Sequence, residues 1–213
     1  MTPSLIVLHY TAMASCAAAR TRLCAPEHEV SAHWLISQTG EAEQLVDEAM
    51  RAWHAGAGSW CGQDDINSHS IGIELANTGA QPFAEPQMAA LEHLLREIMA
   101  RWSIDRTAVI GHSDMAPERK SDPGARFDWC RLARAGLSVW PDDPGDPSRP
   151  LADSLARIGY PAVAQVAMLT AFRLRFCPWV TGEETAQDRT LAAAAAMAFT
   201  RHIQGLASPA PLA

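Results

Sequence analysis

Residues 70–112 read SIGIELANTGAQPFAEPQMAALEHLLREIMARWSIDRTAVIGH, and this stretch decides the fold. It opens on Ser70–Leu75, an apolar run with the length of a buried strand. Glu85 to Trp102 then carries apolar residues at Met88, Leu91, Leu95, Ile98, Met99 and Trp102. Steps of three and four put these residues on one face of a helix, and Pro86 suits its first turn, where no N–H is needed. Residues 108–112 (AVIGH) form a second buried run. Strand, helix and strand in that order point to an α/β fold.

Upstream, residues 4–10 read as another buried strand. Residues 33–37 and 42–46 flank the turn Gln38-Thr39-Gly40, which suits a hairpin. The expectation is a mixed central sheet flanked by helices. Downstream, residues 141–150 read PDDPGDPSRP, with four prolines and three aspartates. Such a run forms neither a helix nor a central strand, and its prolines stiffen it. It is expected to link a domain at 1–140 to a second one at 151–205, with a tail at 206–213. The second domain has a helical period, in segments 151–158, 164–176 and 185–202, which suits a small three-helix module.

The net charge of -7 excludes a phosphate-tracking nucleic-acid binder and adsorption to an anionic membrane. The run from Leu5 to Leu8 is too short to span a bilayer. The first residues show no basic region followed by an apolar leader. This implies a cytoplasmic protein if residue 1 is the native start, and a periplasmic one otherwise. The five cysteines include no close pair and read as small apolar residues in a reducing compartment. Oligomeric state leaves no mark on the sequence.

Chemistry-bearing residues gather where the strands end. His9 closes the first strand, His112 closes AVIGH, and Asp122 follows ten residues later. Two imidazoles and a carboxylate are a workable zinc set, with the fourth position left to water. Taken singly, each histidine also fits a structural role. Glu74 lies inside an apolar strand, where a carboxylate must be paired, protonated or functional; a buried ion pair with an arginine is the other reading. Lys120 is the sole lysine beside sixteen arginines. Two residues before Asp122, its ammonium suits negative charge developing on an oxygen, and a solvated loop lysine is the alternative.

Six segments carry a resemblance: LHYTA (8–12), SAHWLI (31–36), RAWHAG (51–56), NSHSIGIEL (67–75), GHSDMAPERKSDPG (111–124) and FDW (127–129). In order and without a large gap, they resemble the type-2 N-acetylmuramoyl-L-alanine amidases, a family that shares its fold with the peptidoglycan recognition proteins. The 111–124 block is the most specific of them. The resemblance implies that His9, His112 and Asp122 bind zinc, that Glu74 is the general base and that Lys120 stabilises the oxyanion. It also implies that Trp53, His54 and Asn67 meet substrate in a groove. His33 matches a structural position, and His28, His93 and His202 match none and are expected at the surface. Thr11 after His9-Tyr10 looks closer to the AmiD branch than to AmpD, which usually has Asn after that histidine.

Residues 151–205 resemble a small helical peptidoglycan-binding domain without its D-G-x-x-G-x-x-T ending. A helix bundle that shapes the cleft is the other reading. The activity implied is hydrolysis of the amide between N-acetylmuramic acid, or its 1,6-anhydro form, and L-alanine in peptidoglycan fragments during cell-wall recycling. A non-catalytic peptidoglycan sensor and an amidase acting on intact murein are the competing readings.

Overall fold

The computed structural model describes residues 1–207, with side chains through Arg201. Residues 208–213, most of the expected tail, and the side chain of His202 lie outside the described residues. Five strands form one sheet: β1 (Leu5–Tyr10), β2 (Trp34–Ile36), β3 (Ala42–Gln44), β4 (Ser70–Leu75) and β5 (Val109–Gly111). Around them lie helices α1 (Cys16–Cys24), α2 (Glu85–Trp102), α3 (His112–Met115) and α4 (Trp129–Arg134). After the proline-rich segment come α5 (Leu151–Ile158), α6 (Gln165–Phe176) and α7 (Ala186–Ala207).

The sheet order is β3-β2-β4-β1-β5. β3 is antiparallel to β2, and the remaining pairs are parallel, so this is the mixed α/β sheet expected. β4, α2 and α5 have the bounds read from the sequence. β2 and β3 are shorter than expected. The His33 carbonyl accepts from both Leu45 N (2.8 Å) and Val46 N (3.4 Å), which interrupts the regular ladder. β5 stops at Gly111, so His112 starts a helix and does not close the strand. Helix α7 runs on into the first two residues expected as tail.

Alternation along the strands divides the core. Ile6, Leu8, Ile71, Ile73 and Val109 face one way and bury against Met88, Leu91, Leu95 and Ile98 of α2. Leu5, Val7 and Ile110 face the other way. They share a cluster with Leu155 of α5, Phe172 and Phe176 of α6 and Phe199 of α7. The helices after the proline-rich segment therefore bury apolar surface on the sheet as well as on one another. His9 continues the Leu5/Val7 face, and Glu74 lies beside it in register, so both side chains emerge on that face. β1, β4 and β5 are parallel, so they deliver His9, Glu74 and the start of α3 to the same sheet edge, where open α/β sheets carry their sites.

Candidate metal centre and active-site cleft

The two histidines and the aspartate expected to share a metal meet at that edge. His9 Nδ1 lies 2.9 Å from His112 Nδ1 and 2.9 Å from Asp122 Oδ2. His112 Nδ1 lies 3.0 Å from the same carboxylate oxygen. All three residues are buried. The Asp122 loop is pinned to α3 by a hydrogen bond from Ser113 N to the Asp122 carbonyl, 2.9 Å.

Hydrogen-bond accounting fixes the tautomers. Ser70 Oγ donates to the Ile66 carbonyl at 2.6 Å, so it accepts from His54 Nε2 at 3.2 Å. His54 Nδ1 is then an acceptor, and His9 Nε2–H donates to it at 3.1 Å. His112 Nε2–H donates to the Ala55 carbonyl at 2.8 Å. Both Nδ1 atoms therefore present bare lone pairs to each other and to a carboxylate oxygen. Three such donors repel one another unless a cation lies among them. A tetrahedral ion with bonds of ~2.0 Å spaces its ligands about 3.3 Å apart, so the triangle opens only slightly to accept one. The donor set of two nitrogens and one oxygen fits zinc. The backbone carbonyl behind His112 is a usual partner of a metal-binding histidine, and His54 takes that place behind His9.

The electrostatics agree. Burial lowers His9 to about 4, with the neighbouring His112 adding to the effect. Burial also holds His54 well below its ordinary value, helped by His9. Burial pushes Asp122 upward, but its close approach to His112 and His9 outweighs burial and holds it well below the usual carboxylate range. A neutral His9 beside an ionised Asp122 is the form that binds metal. Among the described residues, no other group of His, Cys, Asp and Glu converges in this way.

Glu74 stands at the same cleft without a salt-bridge partner. Its Oε2 is buried and has no hydrogen-bond partner. Burial first, and then the charge of Asp122, raises its pKa to about 8, against a smaller opposing effect of Lys120. The alternative of an arginine pair is thereby removed. A cleft of about 400 Å³ is lined by His9, Glu74, His112, Lys120 and Asp122, together with Trp53 and His54. A larger cavity, about 600 Å³, lies elsewhere, beside Arg134, Trp140 and Arg201, and contains none of these groups.

The three residues expected in the groove occupy different places. Trp53 is 56% exposed at the cleft wall. His54 lines the cleft and also backs His9. Asn67 is buried behind the loop and is absent from the cleft lining; its Oδ1 accepts from His54 N (3.0 Å) and Ala55 N (2.8 Å). His33 is fully buried, with Nδ1 accepting from Gly72 N and Nε2 donating to the Met50 carbonyl. His28 and His93 are exposed. The sequence reading missed Ser70, the Ala55 carbonyl and Arg119. The Arg119 guanidinium lines the cleft and grips the carbonyls of Ala55 and Ala57. RAWHAG, ending at Gly56, was the signal for that loop, but a backbone acceptor leaves no mark on residue type.

Residues 1–125 match the N-acetylmuramoyl-L-alanine amidase family. The chain is 34% identical over 225 aligned positions to the N-acetylmuramoyl-L-alanine amidase AmiD of Escherichia coli K12, covering 89% of this chain and 80% of that protein. The chain belongs to the N-acetylmuramoyl-L-alanine amidase family. Among members of known structure, the complex of E. coli AmiD with anhydro-N-acetylmuramic acid-L-Ala-D-gamma-Glu-L-Lys superposes with a TM-score of 0.83 at 33% identity. That match covers 92% of this chain and 89% of AmiD, so the similarity extends through the helices after the linker. The 1,6-anhydro-N-acetylmuramyl-L-alanine amidase AmpD of Haemophilus influenzae is 43% identical over 103 residues, 48% of this amidase and 56% of that one.

Proposed function

We propose that this amidase uses zinc to hydrolyse the amide between 1,6-anhydro-N-acetylmuramic acid and L-alanine in soluble muropeptides. The observation that carries the reading is the convergence of His9, His112 and Asp122 beside the unpartnered carboxyl of Glu74. The anhydro substrate is supported by the AmiD complex and by the names of the AmpD relatives.

Zinc held by His9, His112 and Asp122 supplies Lewis acidity and lowers the pKa of a water towards ~7. Glu74 takes a proton from the attacking water and returns it to the leaving L-alanine amine. Lys120, on the cleft wall, places an ammonium near the oxygen on which charge develops. Trp53 offers the sugar or peptide an exposed aromatic face. His54 holds His9 and borders the substrate, and Asn67 serves the groove from behind by fixing the backbone of residues 54 and 55.

Residues 1–140 are proposed as the catalytic unit and 151–205 as a helical unit joined to it by 141–150. Among the described residues, no helix is long and apolar enough to cross a membrane. A recycling role predicts a cytoplasmic protein; cell fractionation that finds it only in the periplasm or the outer membrane contradicts that role. Zinc content is the test of the site itself. The wild-type chain is expected to hold about one equivalent, and His112→Ala to lose both metal and peptide release. A wild-type chain that holds zinc and releases no peptide would favour a peptidoglycan sensor.

A further inference from the structure

Asp114 lies two residues after His112, on α3, and is 1% exposed. Both of its oxygens are occupied. Oδ2 accepts from Gly111 N at 2.8 Å and from Arg175 Nη1 at 2.6 Å. Oδ1 accepts from Tyr160 Oη at 2.7 Å. Arg175 belongs to α6 and Tyr160 comes just after α5, so both reach the metal-bearing segment from beyond the linker. Arg175 Nη2 also donates to Ser138 Oγ at 3.0 Å, and its guanidinium lies 4.1 Å from the centroid of the Trp129 ring.

A buried ion pair is weak evidence of stability, because desolvation offsets the attraction. What constrains position here is the set of short hydrogen bonds that holds Asp114 to Gly111, Tyr160 and Arg175 in one geometry. The position held here is the Gly111–Asp114 backbone, which carries His112. The other support of His112 is braced from the same side. Its Nε2 donates to the Ala55 carbonyl, in the loop that leads to Trp60 and Cys61. Cys61 N donates to the Gly159 carbonyl at 2.9 Å, and the rings of Trp60 and Tyr160 meet edge-on at 5.3 Å. The backbone that carries His112 and the acceptor that orients it both lean on the helices after the linker.

We infer that these helices are a positioning clamp for the metal centre: Arg175 and Tyr160, acting through Asp114, hold His112 in its metal-binding geometry. Neither residue lines the cleft, and neither touches a metal ligand, so both are positioning residues. The inference rests on the zinc reading above. It gives residues 151–205 a role at the site that requires no glycan contact.

The test uses the full chain and three variants: Tyr160→Phe, Arg175→Met and Arg173→Met. Tyr160→Phe keeps the ring and removes one hydrogen bond. Arg173 forms a different buried pair on the same helix, with Asp188 at 2.7 Å, and so controls for loss of stability alone. Zinc affinity by chelator competition, kcat and KM on an anhydromuramyl tripeptide, and Tm are measured for each. Partners behind metal-binding histidines contribute about 10–100-fold to affinity, and the clamp predicts a loss of about tenfold in Tyr160→Phe, with kcat falling and KM held. Arg175→Met should lose more or fail to fold, in which case Tyr160→Phe carries the test. Arg173→Met should lower Tm and leave zinc affinity unchanged.

A Tyr160→Phe chain with lowered Tm but wild-type zinc affinity and kcat overturns the clamp alone. So does an Arg173→Met chain that loses as much zinc affinity as Tyr160→Phe. A wild-type chain that binds no zinc overturns the proposed function and the clamp with it.

Discussion

Glu74 lines the cleft and carries a buried oxygen, Oε2, that no protein group satisfies. A base works best when its pKa lies near the working pH, and contributes about 10²–10⁴-fold. Glu74→Gln is therefore expected to keep its zinc and lose kcat by two orders of magnitude or more, read by metal analysis and chromatography of the products. Near-full activity would remove the base assignment. The same group shapes the stability of the metal-free protein. Its carboxyl is raised from 4.5 to about 8, so between those values the folded chain keeps a proton that the unfolded chain lacks, and stability falls as pH rises. His9, lowered from 6.5 to about 4, gives the opposite slope, which ends near pH 6.5. Between pH 6.5 and 8 the Tm of the metal-free protein should fall, and Glu74→Gln should flatten the fall. A flat wild-type profile would contradict the raised pKa.

At the scale of elements, the loop from Trp53 to Ala55 has no regular structure and is held by Asn67, whose Oδ1 satisfies two backbone donors. Asn67→Ala leaves them without a partner, at a cost of about 1–3 kcal/mol for a buried group. The expected result is a lower Tm together with weaker substrate binding, because the same loop presents Trp53 and His54. An unchanged KM would limit Asn67 to stability. Gly72 sets a second constraint. A Cβ there would run into the His54 ring, so Gly72→Ala should lower Tm and displace the residue behind His9.

Elements differ in how plainly the sequence shows them. Helix α2 was legible in full, because its apolar residues keep the helical period and Pro86 marks its start. Helix α1 was not, since only Ala19 is buried and the segment has no apolar stripe. Helix α4 spans six residues, too few to show a period. At the site, His9 and His112 stood out by their places at the ends of apolar runs, Glu74 as a carboxylate within one, Lys120 as the sole lysine, and Asp122 through the block at 111–124. Ser70 and the Ala55 carbonyl were not, because a hydroxyl among apolar residues and a backbone oxygen look ordinary until the tautomers are worked out.

Across the whole molecule, residues far apart in sequence meet because three parallel strands end at one edge. One sheet face is sealed by α2 and α4, and the other by the helices after the linker. The proline-rich segment lies against α7: Arg201 pairs with Asp142 at 3.1 Å and with Asp143 at 2.7 Å. Gly145 approaches α7 so closely that a Cβ would meet the backbone at Thr190 and Ala194. The prolines and aspartates led to the expectation of a linker, and the docking of this segment comes from partners that composition does not reveal. Cleavage of one bond is at issue, and one measurement reads it. Anhydromuramyl-L-Ala-D-γ-Glu-L-Lys is incubated with the zinc-loaded chain, with the chelated chain and with the chelated chain after zinc is restored, and products are followed by liquid chromatography with mass detection. Equimolar free tripeptide and anhydro-N-acetylmuramic acid are expected from the first and third samples and intact substrate from the second. Intact substrate from the zinc-loaded chain, or cleavage undiminished by chelation, would contradict the proposed function.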